Sequence, residues 1–520
     1  MNERKQLYIT TPLYYVNAKP HIGHSYTQIA CDTIARYEKQ SGRDVFLMTG
    51  TDEHGEKIEK AALDAGLKPG DEKKFVDSIV PHFKDLWEKL GIKYDHFIRT
   101  TDNEHVAAVQ RVLSILREKG KFCKKSYSGW FCTPCEMFWT TTQSKDGICP
   151  DCERKLEKLD EENYFFKLSE YQRALIDHIQ ENPRFVMPAI RRNEVLSFLE
   201  NNELQDLCIS RPKSRLRWGI EIPFDRDFVT YVWFDALINY ISGIGFNDDR
   251  KRFHRLWPAD YQMIGKDILR HHAIYWPIML MAIDLELPKT VFAHGWWVIE
   301  GEKMSKSKGN IIDPLAMIAK YGVEPFRYYL LSAVRFGADG VFSEELFVKK
   351  YNSDLANDIG NLLNRTLTMV EKYFGGAVPD PNDPLGNDPL RQNAKQMPAR
   401  VHEGFRELDF SMSLKAIWDL VGRANKYIEE SAPWKLAKDP DKGKLGAVIY
   451  NLAQSIGIIT VSLYPFMPET SRNIWKQLGM ETDVADLVLS NAERDGISFN
   501  VIPAGTTVKK AKPLFPRIEV

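Results

Sequence analysis

Leu7-Tyr8-Ile9-Thr10-Thr11, Pro20-His21-Ile22-Gly23-His24, then Tyr26, Ile29, Ala30, Ile34 and Tyr37 at helical spacing as far as Gly42: on this stretch the fold turns. The short apolar run predicts a strand, the spacing predicts a helix, and the glycine supplies a left-handed stop that other residues resist. Outward from this strand-turn-helix unit, residues 45–49 and 96–100 read as further strands separated by helical patterns, the alternation that builds a parallel sheet. The same signature returns at 261–264 and 290–293, with an apolar helix between them.

Residues 119–222 break the alternation with polar stretches, a basic run (Arg211, Lys213, Arg215, Arg217) and four cysteines, and so read as an insertion that splits the sheet domain. Beyond Tyr351 the pattern is almost purely helical, interrupted by a loop at 375–389 rich in Pro, Gly, Asn and Asp. At ~150 residues per domain, a 520-residue chain has several domains, and the boundaries expected are 1–118, 119–222, 223–310, 311–350 and 351–520. No fixed-period repeat or low-complexity tract is visible.

Hydrophobic residues at 43% and charged residues at 27% belong to a folded globular chain and exclude disordered and collagen-like classes. The longest uninterrupted apolar run, 273–283, contains Pro277 and is shorter than the ~18 residues that cross a bilayer, and no signal-peptide pattern follows Glu3, Arg4 and Lys5. The expectation is a cytoplasmic protein with no membrane segment. With a formal net charge of -1, any nucleic-acid partner is held by local basic patches.

Four of the seven cysteines form two Cys-x2-Cys pairs, Cys132-Thr133-Pro134-Cys135 and Cys149-Pro150-Asp151-Cys152. Four thiolates at this spacing close a tetrahedron around one Zn2+, and with no open ligand position the zinc is structural. Two disulfides or unligated thiols fit a reducing compartment less well. Cys31, Cys123 and Cys208 receive no role.

Pro20-His21-Ile22-Gly23-His24 puts two imidazoles and a glycine at a helix N-terminus under the carboxyl edge of a sheet, where open α/β folds bind ligands. Unpaired helix N–H groups and imidazole donors suit phosphate oxygens that gain charge, although an isolated match of this length more often marks a simple cap. Far downstream, Gly301-Glu302-Lys303-Met304-Ser305-Lys306-Ser307-Lys308-Gly309-Asn310 is a cationic loop bracketed by glycines, suited to clamping and releasing a polyphosphate. Alone it would read as a solvated basic loop.

In this order on a split parallel sheet, the His-Ile-Gly-His and Lys-Met-Ser-Lys-Ser segments resemble those of the class I aminoacyl-tRNA synthetases. The resemblance implies a Rossmann-like sheet split by the zinc-knuckle insertion and followed by an all-α anticodon-binding bundle. It implies that His21 and His24 stabilise the transition state at the α-phosphate of ATP and that Lys303 and Lys306 neutralise the leaving pyrophosphate. Gly23, Gly265, Asp267 and His294 fall on the remaining ATP positions, and Mg2+ accompanies the nucleotide.

Within that class, Thr11-Pro12-Leu13-Tyr14-Tyr15-Val16-Asn17, Thr49-Gly50-Thr51-Asp52-Glu53-His54-Gly55, Tyr231-Val232-Trp233-Phe234-Asp235-Ala236-Leu237-Ile238-Asn239-Tyr240 and His271-His272-Ala273-Ile274-Tyr275-Trp276 resemble the methionyl-tRNA synthetases. A thioether substrate calls for an aromatic-lined pocket with one carboxylate for its ammonium. By position these are Pro12, Leu13 and Tyr15, the carboxylate Asp52, then Trp233, Ala236, Leu237 and Tyr240, and finally Ile268, His272 and Trp276. Leu237 stands where some members carry proline, and Pro12 where others carry a small residue.

Asn357, Asn361 and Arg365 recur every fourth residue, a polar stripe on a helix whose Leu355, Ile359, Leu362 and Met369 face inward. This stretch and Ala432-Pro433-Trp434 resemble the family's anticodon site, in which Trp434 is the residue for base stacking. The implied partners are ATP, L-methionine and tRNA(Met), initiator and elongator. Some relatives append an oligonucleotide-binding barrel; this sequence reaches Val520 soon after Pro513-Leu514-Phe515-Pro516, so a monomer is expected. Two alternatives stay open. Enzymes for leucine, isoleucine, valine or cysteine share both motifs, the first three with an editing domain larger than this insertion. An RNA-binding protein on an inactive scaffold is opposed by the intact His21, His24, Lys303 and Lys306.

Overall fold

The computed structural model describes residues 6–132, 137–139, 144, 147–150, 153–299, 302–303, 312–381, 388–487 and 500–519. The chain forms two compact units: Met1–Pro20, Phe46–Glu88 and Lys93–His294 make the first, and His21–Val45, Lys89–Ile92 and Gly295–Val520 the second.

The first unit is built on a sheet of β1 (Leu7–Tyr15), β2 (Val45–Asp52), β3 (His96–Arg99), β4 (Val186–Met187), β5 (Tyr261–Gly265) and β6 (Val291–His294), in the order β3-β2-β1-β5-β6-β4. Parallel pairs put Thr49 beside Phe97, Ile9 beside Tyr261, Met263 beside Phe292 and Phe292 beside Met187. Buried strands of parallel sheets read as continuous apolar runs instead of alternating ones, which is why five of the six were visible in the sequence. The carboxyl ends of four of these extend past the expected limits, to Tyr15, Asp52, Gly265 and His294, while β3 stops at Arg99.

The sixth strand corrects the reading of 119–222 as wholly outside the sheet. Val186–Met187 pairs with β6 as an edge strand, too short for any periodicity to reveal. The helices Gln172–Glu181 and Ala189–Asn201 on either side bury Leu175, Ile179, Val195 and Leu199 in the same core as Tyr8, Met48, Ile98 and Ile264. The rest of the insertion carries a second sheet of Phe122–Cys132, Met137–Trp139, Glu157–Phe166 and Leu207–Cys208.

The second unit opens with the helix Ile22–Gln40, after which Gly42 takes φ 69°, and continues with the small sheet of Trp297–Ile299, Glu302–Lys303 and Gly340–Val341. Among the described residues, five long helices follow: Tyr351–Gly360 running on as Asn361–Phe374, then Pro389–Arg406, Phe410–Ser431, Gly443–Leu463 and Pro468–Gln477. Gly443–Leu463 is long and apolar enough for a membrane span, and its whole apolar window is buried inside the unit. Asn451, Gln454 and Ser455 interrupt its apolar run, so it is not legible as one in the sequence. Residues 500–519 fold back on the bundle: Ile502 is buried, and the Asn352 amide and Ile518 backbone exchange hydrogen bonds of 2.9 Å each way.

Candidate active site

At the end of β1, Pro12 is buried while Leu13 and Tyr15 are half-buried. Leu13 lies against Gly50 of β2, where a built Cβ would stand 2.8 Å from the Leu13 side chain and 2.0 Å from the Ile98 carbonyl oxygen, so the strands and this side chain approach only because Gly50 has no Cβ. Asp52 ends β2, is buried, and accepts the Val16 N–H at its carbonyl.

The helix Val232–Leu237 supplies half-buried Trp233 and buried Ala236 and Leu237; buried Tyr240 follows. The Tyr240 hydroxyl stands 2.7 Å from His272 Nε2, and Trp276 packs against the Tyr240 ring at 5.8 Å. His272 Nδ1 must donate to the Ile268 carbonyl (2.9 Å), since a carbonyl only accepts; Nε2 therefore accepts the Tyr240 hydroxyl hydrogen. The structure thus joins Ile268, His272, Tyr240 and Trp276 in one wall.

Sequence reasoning missed His271. It is 7% exposed, stacks on the Trp233 indole with centroids 3.8 Å apart, and neither ring nitrogen has a hydrogen-bond partner among the described residues. The only signal in the sequence was its place beside His272; the structure sets it at the start of a π-helical turn, His271–Tyr275, a rare geometry frequent at functional sites.

Burial pushes the His272 imidazole down to about 4, against weaker opposing pulls from the Ile268 carbonyl and Asp267, and burial also holds His271 well below its usual range. The unfolded chain protonates such imidazoles near pH 6.5. Stability from His272 is therefore whole above that pH and is lost as the pH falls toward 4, roughly 2 kcal/mol between pH 7 and pH 5. Urea unfolding of the native chain and of His272→Gln at both pH values checks this: the variant is expected to lose part of the acid-side slope, and equal slopes would reject the attribution.

In the same unit Gly265, Asp267 and His294 converge. A Cβ at Gly265 would meet Asp267 Oδ1 at 2.6 Å and His294 Cε1 at 3.9 Å, and Asp267 is exposed.

The second unit carries the histidine pair. His21 is the N-cap of Ile22–Gln40: its Nδ1 accepts the Gly23 N–H (3.1 Å), and His24 Nδ1 accepts the His21 N–H (3.2 Å). The rings stack with centroids 3.9 Å apart. This corrects the expectation of unpaired N–H groups, because a helix end satisfies its own orphan donors where side chains allow. With Nδ1 accepting, each ring carries its hydrogen on Nε2. The helix is fixed further along by buried Asp32, which binds Arg327 and Arg36 at 2.7 Å each; Arg327 also donates to the Phe466 carbonyl. Of the lysine loop, Lys306 lies outside the described residues and Lys303 is described in its backbone alone.

The same unit carries the polar stripe. Asn357 and Asn361 are exposed, Leu355, Ile359 and Leu362 buried, and Met369, expected inside, is only half-buried. The first ten residues of this helix are π-helical, a wider turn than the helical period assumed from sequence, which shifts the inward face. Arg365 pairs with Glu429 at 2.6 Å, and the Asp358 carbonyl accepts from Asn425, so Phe410–Ser431 packs alongside. That helix ends at Ala432 with φ 43°, and the short turn Pro433–Leu436 leaves Trp434 44% exposed.

Two family descriptions match. "tRNA synthetases class I (M)" covers residues 7–160 and 154–367, and "Anticodon-binding domain of tRNA ligase" covers 390–498. A methionine–tRNA ligase of Clostridium acetobutylicum is 50% identical over 524 residues, spanning 100% of this chain and 79% of that protein. One from Thermotoga maritima is 43% identical, spanning 99% and 80%. The Mycobacterium tuberculosis methionyl-tRNA synthetase in complex with methionyl-adenylate superposes with a TM-score of 0.91 at 39% identity, over 99% of this chain and 100% of that one. Its apo form gives 0.86 at 35%, over 100% and 99%.

The chain belongs to the class I methionyl-tRNA synthetases.

As a methionine–tRNA ligase it uses ATP to join methionine to tRNA. Most of the basic run is engaged within the chain: Arg211 is buried over the Phe131 and Tyr231 rings, Arg215 bridges Glu56 and Glu161, and Lys213 pairs with Glu221, while Arg217 is exposed. The cysteine pairs are half visible to the structure. Cys132, ending its strand, and Cys149 are both buried in one small cluster with Leu156, against Trp130. Cys135 and Cys152 lie outside the described residues.

Proposed function

We propose that methionine activation uses the residues nominated from the sequence, in the following roles. The Asp52 carboxylate binds the substrate ammonium. Pro12, Leu13, Tyr15, Trp233, Ala236, Leu237, Tyr240, Ile268, His272 and Trp276 enclose the thioether. The methionine carboxylate oxygen attacks the α-phosphorus of ATP, and the bond to the bridging oxygen of pyrophosphate breaks. Catalysis of such a step is positioning and electrostatics. The Nε2–H groups of His21 and His24 donate to the α-phosphate oxygens as their charge grows, and Lys303 and Lys306 neutralise the pyrophosphate, with Mg2+ accompanying ATP. Gly23, Gly265, Asp267 and His294 receive the adenosine. A hydroxyl of the tRNA's terminal adenosine then attacks the methionyl carbonyl, releasing AMP.

The observation that carries this reading is the joined wall of Tyr240, His272, Ile268 and Trp276 beside the Trp233 stack, an aromatic lining in the unit that also holds the buried Asp52. An Asp52→Asn variant is expected to bind methionine about 10- to 100-fold more weakly, the loss of one charged hydrogen-bond partner. ATP affinity should hold within about twofold. Isothermal titration of each ligand measures both, and unchanged methionine affinity would remove Asp52 from the site.

The burial of Cys132 and Cys149 in one cluster, one cysteine from each pair, suits a single structural Zn2+ held with Cys135 and Cys152 in a reducing cytoplasm. The metal would hold the knuckle's chain together and supply no catalysis. Metal analysis of the purified chain is expected to return about one zinc, falling to a small fraction in Cys132→Ser; a full zinc content in that variant would reject the assignment. Initiator and elongator tRNA(Met) share an anticodon, so both are proposed as partners of Asn357, Asn361, Arg365 and Trp434.

A further inference from the structure

Behind the methionine wall lies a buried cluster that the reaction as described does not use. Asp235, in the helix Val232–Leu237, is wholly buried and receives two imidazoles: His54 Nδ1 at 2.7 Å on one oxygen and His105 Nε2 at 2.7 Å on the other. A carboxylate only accepts, so both nitrogens donate; His105 Nδ1 then accepts the Ser242 hydroxyl hydrogen, 2.8 Å away. Burial alone would raise the Asp235 carboxyl, but the two imidazoles reverse this and hold it below the usual carboxylate range.

His54 sits where three of the nominated segments meet. Its ring holds the helix that carries Trp233, Ala236 and Leu237, and its carbonyl accepts the Tyr15 hydroxyl at 2.8 Å. It follows Asp52 by two residues. Between them Glu53 accepts from Arg99, Thr51 and Thr101 and gives its carbonyl to the Trp218 indole N–H, so the loop cannot slide. A buried ionised carboxylate is a costly packing element unless fully satisfied, and what it provides is a unique geometry.

We propose that Asp235, through His54 and His105, is a positioning residue for methionine: it sets the distance between the Asp52 carboxylate, which takes the ammonium, and the wall that takes the thioether. The proposal rests on the pocket reading above. Its effect falls on methionine binding and leaves the phosphoryl step alone, because the cluster belongs to the pocket's frame and reaches neither ATP residue in the same unit, Gly265 or Asp267.

Pyrophosphate exchange by the full chain tests it, with Trp233→Ala as the control for the pocket. His54→Ala is expected to raise KM for methionine about 10- to 100-fold, with kcat and KM for ATP within about threefold. His54→Asn, whose amide N–H replaces Nδ1–H, is expected to return KM to within about threefold of the native value. If His54→Ala does not fold, His105→Gln against His105→Leu poses the same comparison from the other oxygen. The proposal is overturned, with the pocket intact, if Trp233→Ala raises KM while the alanine and asparagine variants at 54 behave alike. If Trp233→Ala leaves KM unmoved as well, both readings are overturned.

Discussion

A His21→Asn variant is expected to fold with native stability and to lose methionine activation by roughly 100- to 1,000-fold in kcat, the usual cost of removing one donor from a developing oxyanion. The two effects separate because the cap seen at one nitrogen of His21 and the phosphate contact proposed for the other use different atoms. Its Nδ1 caps the Gly23 N–H at the start of Ile22–Gln40, and asparagine, among the best N-caps, keeps that bond with its side-chain oxygen. Its Nε2–H has no counterpart in asparagine. A cap alone is worth about 1 kcal/mol, so alanine at the same position should show a lowered melting temperature in addition to the lost rate. Exchange kinetics and thermal melting of the two variants check the division. Native activity in His21→Asn would mean that the imidazole serves only as a cap.

Trp434→Ala is expected to cut aminoacylation of tRNA(Met) by about 5- to 150-fold, the worth of one base stacked on an aromatic ring, while pyrophosphate exchange without tRNA stays native. The indole is 44% exposed on the turn Pro433–Leu436, and only buried Pro433 of that turn belongs to the core, so its removal does not disturb packing. Nearby, Arg365 is held by Glu429 and Asn357 and Asn361 are exposed on the neighbouring helix. An equal loss in both assays would show that the substitution acts on the fold or on activation, and would remove Trp434 from the anticodon surface.

What was legible in the sequence follows from which interactions are local. β1, β2, β3, β5 and β6 were visible because each is a compact apolar run between helical patterns, and their exits, marked by Pro12, Asp52, Gly265 and His294, carry chemical residues at the carboxyl edge. Val186–Met187 was not, since a two-residue strand has no period and owes its pairing to β6, a hundred residues away in sequence. The π-helical turns at His271–Tyr275 and Tyr351–Gly360 were invisible for a related reason. Their spacing lies close enough to helical that only the partial exposure of Met369 and the stack of His271 on Trp233 betray them. The His54–Asp235–His105 cluster is the furthest from view. Its partners are 181 and 130 residues apart, and each alone reads as an ordinary polar residue in an apolar neighbourhood.

This chain activates methionine. ATP–pyrophosphate exchange, run without tRNA against each of the proteinogenic amino acids in turn, tests it most directly. Exchange dependent on methionine is the predicted result; exchange driven by leucine alone, or by no amino acid, would contradict it.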